Sequence, residues 1–364
     1  MNGLFLDTKE KEKWKRVAAA VAFLLIIARV FITATYLFRN VGYDRDHVIG
    51  IKEERDLDMV YIGGSAAFVY WQPLKAWNDY GFASYNLAVN TIQAESIKYL
   101  IKDALKYQEP ECFVIDARAF QYYTAEGSEA GLRNASDSLD FLSSDRWEMV
   151  HDYLGHHDIG EEEDRPSFYL DIFKYHTNHS ALGDKENWRR IDNMGKAAWK
   201  GFEWITKYQH LEAPEAFETD TRAGLLEGDV EALCSLLEFC QEKELNILFV
   251  VCPYWITRDH QEKYNTIEDI VASYGFDFLN TNEHYDEVGI DFSTDFYNTD
   301  HVNCYGAEKY TAFLGKYIDD HYNLPDHRGE SEYAEWDKDF KGFSLEEERT
   351  KKAIDELIRA EKEE

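Results

Sequence analysis

The sequence predicts an α/β domain on a largely parallel sheet, covered by helices on both faces and carried behind one N-terminal transmembrane helix. Three observations predict this. Short unbroken apolar runs such as VYIGG, CFVIDA and NILFVVC read as strands buried on both faces. Amphipathic stretches alternate with those runs, as crossover helices of a parallel sheet do. The first forty residues hold an apolar stretch of membrane length.

That stretch, Val17 to Phe38, has 22 residues and one charge, and at about 1.5 Å per residue it reaches roughly 33 Å. Lys9, Lys11, Lys13, Lys15 and Arg16 precede it, so residues 1–16 are expected to form a cytoplasmic basic tail, with the chain beyond residue 40 extracytoplasmic. A cleaved signal peptide is the competing reading, but its apolar region is usually shorter and uninterrupted, whereas Arg29 stands inside this one. A charge there costs at least ~2.5 kcal/mol on insertion scales, so Arg29 either snorkels to a headgroup or faces a polar group of a membrane partner.

The body is expected over residues 55–325. DMVYIGG (58–64) is the first strand, PLKAWNDYG (73–81) a short helix closed by glycine, Ile92 to Tyr107 a helix, and CFVIDA (112–117) the next strand. Asp229 to Leu245 and Gln261 to Tyr274 read as helices around the strand 246–252, and FDFLN (276–280) is a further strand before a helix from Ala307 to about Tyr322. Residues 122–227 break the alternation; they are expected to insert a cap beside the site, with helices near 145–154 and 188–208. Residues 326–364, rich in opposite charges at helical spacing, read as a solvated helical tail outside the core.

Composition excludes one class of partner. The net charge is −31, with residues 1–40 carrying seven basic groups against three acidic ones, so nucleic acid is not an expected partner. The five cysteines, at 112, 234, 240, 252 and 304, show neither metal-site nor disulfide-framework spacing and are expected to be buried thiols. His176 and His179 in the insertion could line a cleft, but their spacing without further ligands is poor evidence for a metal, and no cofactor is called for.

Chemistry centres on two residues. Ser65 follows the first strand in YIGGSAAF, beside Gly64, and open α/β sheets bind ligands at the carboxyl ends of their strands. The same Gly-Gly-Ser also suits a plain turn, and the glycine that would complete G-x-S-x-G is missing. His301, in FYNTDHVN before the last helix, belongs to the same edge and could take the serine proton as general base, or could simply pack there.

A serine after the first strand with a histidine just before the last helix resembles the first and last blocks of the SGNH/GDSL superfamily. YIGGSAA, SYNLAVNTIQ, FVIDARAF, KYHTNHSAL and DFYNTDHVNCYGAEKYT are similar to its membrane-anchored group, which includes DltD-like proteins and AlgJ/AlgX-like acyltransferases, over residues 55–322. The resemblance implies a three-layer α/β/α fold and a Ser65 acyl-enzyme with His301 as base. It also implies a cell-envelope glycopolymer as substrate and a membrane acyltransferase of the MBOAT type as partner. Asn298 stands where the family has aspartate, which puts Asn298, Asp295 and Asp300 in competition as the partner of His301; an Asp-to-Asn change in a trypsin-type triad costs about 10⁴ in rate. Asn90, in the place of the second block, either joins the oxyanion hole or caps the next helix, and Arg118 either holds substrate or makes a salt bridge. O-acyl transfer, simple ester hydrolysis or deacetylation, and a silent glycan- or partner-binding scaffold are the functions this pattern leaves open.

Overall fold

The computed structural model describes residues 8–39, 43–121, 128–157, 159–185, 188 and 196–363. Parts of the expected cytoplasmic tail (1–7) and insertion (122–127, 158, 186–187, 189–195) lie outside the described residues. The chain divides into two units, Met1–Val41 with Pro166–Met194 and Gly42–Arg165 with Gly195–Glu364.

The first unit is built on α1 (Thr8–Phe38), a helix long and apolar enough to cross a membrane. Phe23, Leu24, Leu25, Ile26 and Val30 are all exposed, so no face of its middle is packed on protein, as suits a helix whose solvent is lipid. The end of α1 is closed by short helical turns at Pro166–Tyr169, Ile172–Tyr175 and His179–Gly183. The last carbonyls of a helix lack intrahelical partners, and Asn178 Nδ2 donates to the Phe38 carbonyl at 3.2 Å. Arg39 and Asp171, both fully buried, form an ion pair beside it. Residues 166–185, expected within a cap on the sheet, therefore group with α1.

The second unit holds a five-stranded parallel sheet of order β2-β1-β3-β4-β5. Its strands are Met59–Gly63 (β1), Ser84–Ala88 (β2), Cys112–Asp116 (β3), Ile247–Val251 (β4) and Asp277–Asn280 (β5). Successive strand residues face opposite sides, and every residue of β1 to β4 is buried, so both faces are covered. Ala94–Ala104 packs with Glu227–Glu242 and Ser144–His156, while Pro73–Tyr80 packs with Cys304–Tyr322 and the C-terminal helix Ala334–Glu363. This bears out the expected α/β class and mainly parallel sheet. The short helix 73–80 ends as the sequence indicates, with Gly81 left-handed at φ +92°.

Three expectations are corrected. SYNLA, not expected as a strand, is β2, paired along its length with β1. The described residues of 188–208 are not one helix: Ala198–Gly201 is a single 3-10 turn in which Trp199 and Lys200 have positive φ, and 202–208 carries no regular structure. The charged tail is helical but not detached from the core. Trp336, Phe343, Thr350 and Ile354 are buried, and Phe343 packs among Trp199, Phe202 and Trp204. The buried ammonium of Lys200 joins this contact, 2.8 Å from Glu54, 3.4 Å from Asp339 and over the Trp336 ring.

The C-terminal helix therefore carries stability. Phe343→Ala should cost about 3–5 kcal/mol, the range for truncating a buried phenylalanine, whereas Leu345→Ala, at 60% exposed, should stay within about 0.5 kcal/mol. Denaturant unfolding of the full chain in detergent checks the contrast; equal effects at the two positions would return the helix to the status of a tail.

Candidate functional site

The strand order 2-1-3-4-5 reverses direction between β1 and β3, and open α/β sheets bind ligands outside the carboxyl ends of the strands at such a switch point. β1 ends at Gly63, and the turn through Gly64 puts Ser65 at the start of the short helix Ser65–Tyr70. The first N–H groups of a helix have no intrahelical acceptor, so the backbone around Ser65 presents donors at this edge. A Cβ on Gly63 would stand 2.7 Å from Asp116 Cβ, and one on Gly64 would stand 3.3 Å from Ile92 Cγ2. Glycine at both positions lets the serine turn lie against β3 on one side and the loop after β2 on the other.

His301 arrives from the far end of the sequence. Phe296–Asn298 (β6) and His301–Val302 (β7) form an antiparallel hairpin in which Asn298 pairs directly with His301 across Thr299 and Asp300. Ser65 Oγ lies 2.6 Å from His301 Nε2, across 236 residues of sequence. Asn298 Oδ1 lies 3.1 Å from His301 Nδ1 and accepts the backbone N–H of Asp300 at 2.9 Å. That N–H can only donate, so the atom it meets is the amide oxygen; His301 Nδ1 must then carry its proton, leaving the Nε2 lone pair for the serine hydroxyl. The Tyr297 ring stacks on His301 at 5.4 Å and fixes its plane.

The hairpin is clamped from three sides. The Asp300 carbonyl accepts from Arg118 Nη1 at 2.9 Å and Tyr70 Oη at 3.1 Å, and the Trp255 N–H donates to the Thr299 carbonyl at 2.8 Å. Tyr70 ends the serine helix, Arg118 follows β3 and Trp255 follows β4. Arg118 also meets Cys252 Sγ at 3.3 Å and lies over the Tyr254 ring at 4.5 Å. Its guanidinium thus braces the histidine loop.

The other expected site residues separate. Asp295 is buried in an ion pair with Lys309 at 2.7 Å and accepts from the Asp291 N–H and the Thr294 hydroxyl, so the structure does not bring it to His301. Asp300 contributes its carbonyl to the clamp while its carboxylate faces Thr299. Asn90 does not cap the following helix, whose N-cap is Gln93. Its carbonyl accepts from Asn134 Nδ2 at 3.0 Å in the loop that lies against Gly64. The next residue, Thr91, has φ +53°, an uncommon conformation for a β-branched residue. His176 belongs to the first unit, where its Nδ1 meets the Phe173 carbonyl. Tyr70, Trp255, Cys252 and Tyr254 were not singled out from sequence, although three of them directly follow the carboxyl end of β4, where ligands bind in such sheets.

Burial and the nearby Arg118 charge push the His301 imidazole down to about 4, against a smaller opposing effect of Asp300. The ring is neutral at neutral pH and able to accept a proton. Burial raises the Asp116 carboxyl, which caps the turn carrying Arg118 through the Arg118 N–H. No protein-family model matches the chain, and no curated protein matches it.

Histidine 15N NMR should show His301 neutral from pH 8 down to about pH 5. Arg118→Gln removes a positive charge, so the His301 pKa should rise, while burial, the larger cause, keeps it below the ordinary value. A wild-type pKa near that of free histidine, or no rise in the variant, would refute this account of the loop.

Proposed function

We propose that this chain is a membrane-anchored serine acyl-ester enzyme of the SGNH/GDSL kind, acting outside the membrane on a cell-envelope glycopolymer. The observation that carries the proposal is the Ser65–His301 contact, with its tautomer fixed by Asn298, at the switch point of a parallel sheet. Ser65 Oγ attacks the acyl carbonyl carbon as its proton passes to His301 Nε2. The tetrahedral oxyanion is held by backbone N–H groups at the start of the serine helix, with Gly64 and the Val89–Asn90 loop beside it. The C–O bond to the donor alcohol then breaks, and His301 returns the proton to the leaving oxygen. An acceptor hydroxyl reaches the Ser65 ester and reverses the sequence; a polymer hydroxyl gives transfer, water gives hydrolysis.

Asn298 supports this assignment because its place in the hairpin meets two needs. An Asx turn requires a side-chain oxygen two residues before the bonded N–H, and histidine requires an acceptor at Nδ1. Aspartate would serve both as well and would add charge. The family likeness is the support for transfer onto an envelope polymer and for a partner of the MBOAT type that hands acyl groups outward. The basic cluster from Lys9 to Arg16, in the first turns of α1 ahead of its apolar stretch, supports an extracytoplasmic body.

Ser65→Ala should abolish labelling by a serine-reactive fluorophosphonate, and His301→Ala should reduce it by about 10²-fold or more. For acyl transfer or ester cleavage, the double variant should be little slower than either single one. Asn298→Asp should preserve or raise kcat/KM and shift the acidic limb of its pH profile upward, because a new negative charge raises the His301 pKa. Undiminished labelling of a folded Ser65→Ala protein would end the covalent mechanism. Protease added to intact spheroplasts should reach the body beyond residue 40, and full protection would reverse the proposed orientation.

A further inference from the structure

We infer that the segment around Phe173, Leu182 and Trp188 is a membrane-seating collar that inserts apolar side chains into the lipid interface where α1 leaves the bilayer. The inference rests on the reading that α1 spans the membrane.

Its basis lies within the first unit. The segment is fixed to the end of α1 by the buried Arg39–Asp171 pair and by Asn178 on the Phe38 carbonyl. The His179 ring adds an edge contact to Phe38 at 6.4 Å. With Val17 at one boundary of a hydrocarbon core roughly 30 Å thick, Phe38 falls near the other, so whatever is fixed to Phe38 lies at headgroup depth. At that depth Phe173 is 57% exposed, Leu182 46% and Trp188 49%. The Trp188 Nε1–H donates to the Leu182 carbonyl at 2.9 Å, which places these two side by side.

One exposed apolar residue needs no explanation. Three large ones on a short segment fastened to the end of a lipid-solvated helix continue an apolar surface that lipid already covers. Tryptophan is enriched at this depth because its ring is apolar and its N–H polar. Burying Arg39 against Asp171 shields an ion pair from hydrocarbon where the chain leaves it. The sequence of this segment also holds Lys174, Asp184, Lys185 and Glu186, with Arg189 and Arg190 after Trp188, so attraction to anionic lipid would add to the apolar insertion, which zwitterionic lipid isolates.

The test uses the full chain in phosphatidylcholine liposomes, with the half-buried Cys234 replaced by serine and an NBD fluorophore on Phe173→Cys, Leu182→Cys or, in the middle of α1, Leu25→Cys. The labels at 173 and 182 should be quenched more by lipid nitroxides placed high on the acyl chain than by deep ones. The label at 25 should show the reverse order, and high salt should leave both patterns unchanged. Quenching at 25 with none at 173 and 182 would overturn the collar and leave the span standing. Absence of quenching at 25 would remove the span and the collar together. A label at 173 that is shielded from iodide in native membranes yet unquenched in liposomes would assign the patch to a protein partner and overturn the proposal.

Discussion

The register of β1 between β2 and β3 is the constraint on which the site depends. All five residues of β1 are buried and the strand is bonded on both sides, with Gly63 beside Ala88 and Ile62 beside Ile115. A slip of one residue would move Ser65 by about 3.3 Å and turn every side chain of the strand to the opposite face. Burial on both faces gives such a slip no tolerated alternative, and the approach of Gly63 to Asp116 admits no larger residue at the strand end. The position of Ser65 is thus a product of core packing, and the loops need only bring His301 to it.

That second task falls to the Asp300 carbonyl. It joins the serine helix through Tyr70 and the end of β3 through Arg118, so the two elements beside the crevice hold the histidine hairpin together. One consequence is electrostatic. The cation that fixes the loop also lowers the basicity of the histidine it fixes, so geometry and proton affinity are coupled through one side chain. The buried Cys252 and the Tyr254 ring give the guanidinium a partly soft, aromatic setting.

Strands β1, β3 and β4 are legible in sequence because a parallel strand buried on both faces must be an unbroken apolar run. β2 escapes that logic. Its Ser84 and Asn86 are buried, with Ser84 Oγ accepting from Trp71 Nε1 and Asn86 Nδ2 donating to the carbonyls of Trp71 and Gly201, and these partners lie far along the chain or on another element. The C-terminal helix was misread because Trp336, Phe343 and Thr350 recur once every two turns, too narrow a stripe to stand out among the surrounding charges. Ser65 and His301 were legible because polar residues at strand ends and before helices announce themselves. The brace around them was not, since Tyr70 and Cys252 sit inside apolar runs that read only as core.

Asn298 and the low proton affinity of His301 act on the same imidazole. A neutral acceptor sets the tautomer as well as a carboxylate does, but it offers no charge to the imidazolium that the proposed attack by Ser65 would form. Burial and Arg118 act in the same unfavourable direction on that cation. The arrangement therefore favours a neutral His301 at neutral pH and, in the proposed mechanism, makes the imidazolium a ready proton donor. In the proposed mechanism such a base would return its proton readily to a leaving alkoxide, so collapse of the tetrahedral intermediate would be favoured relative to its formation. An enzyme limited by formation gains most from a donor that is already activated or delivered at high local concentration. If α1 anchors the chain as proposed, it would confine the site to the surface where a membrane acyl donor presents its group and supply that concentration without any change in the site.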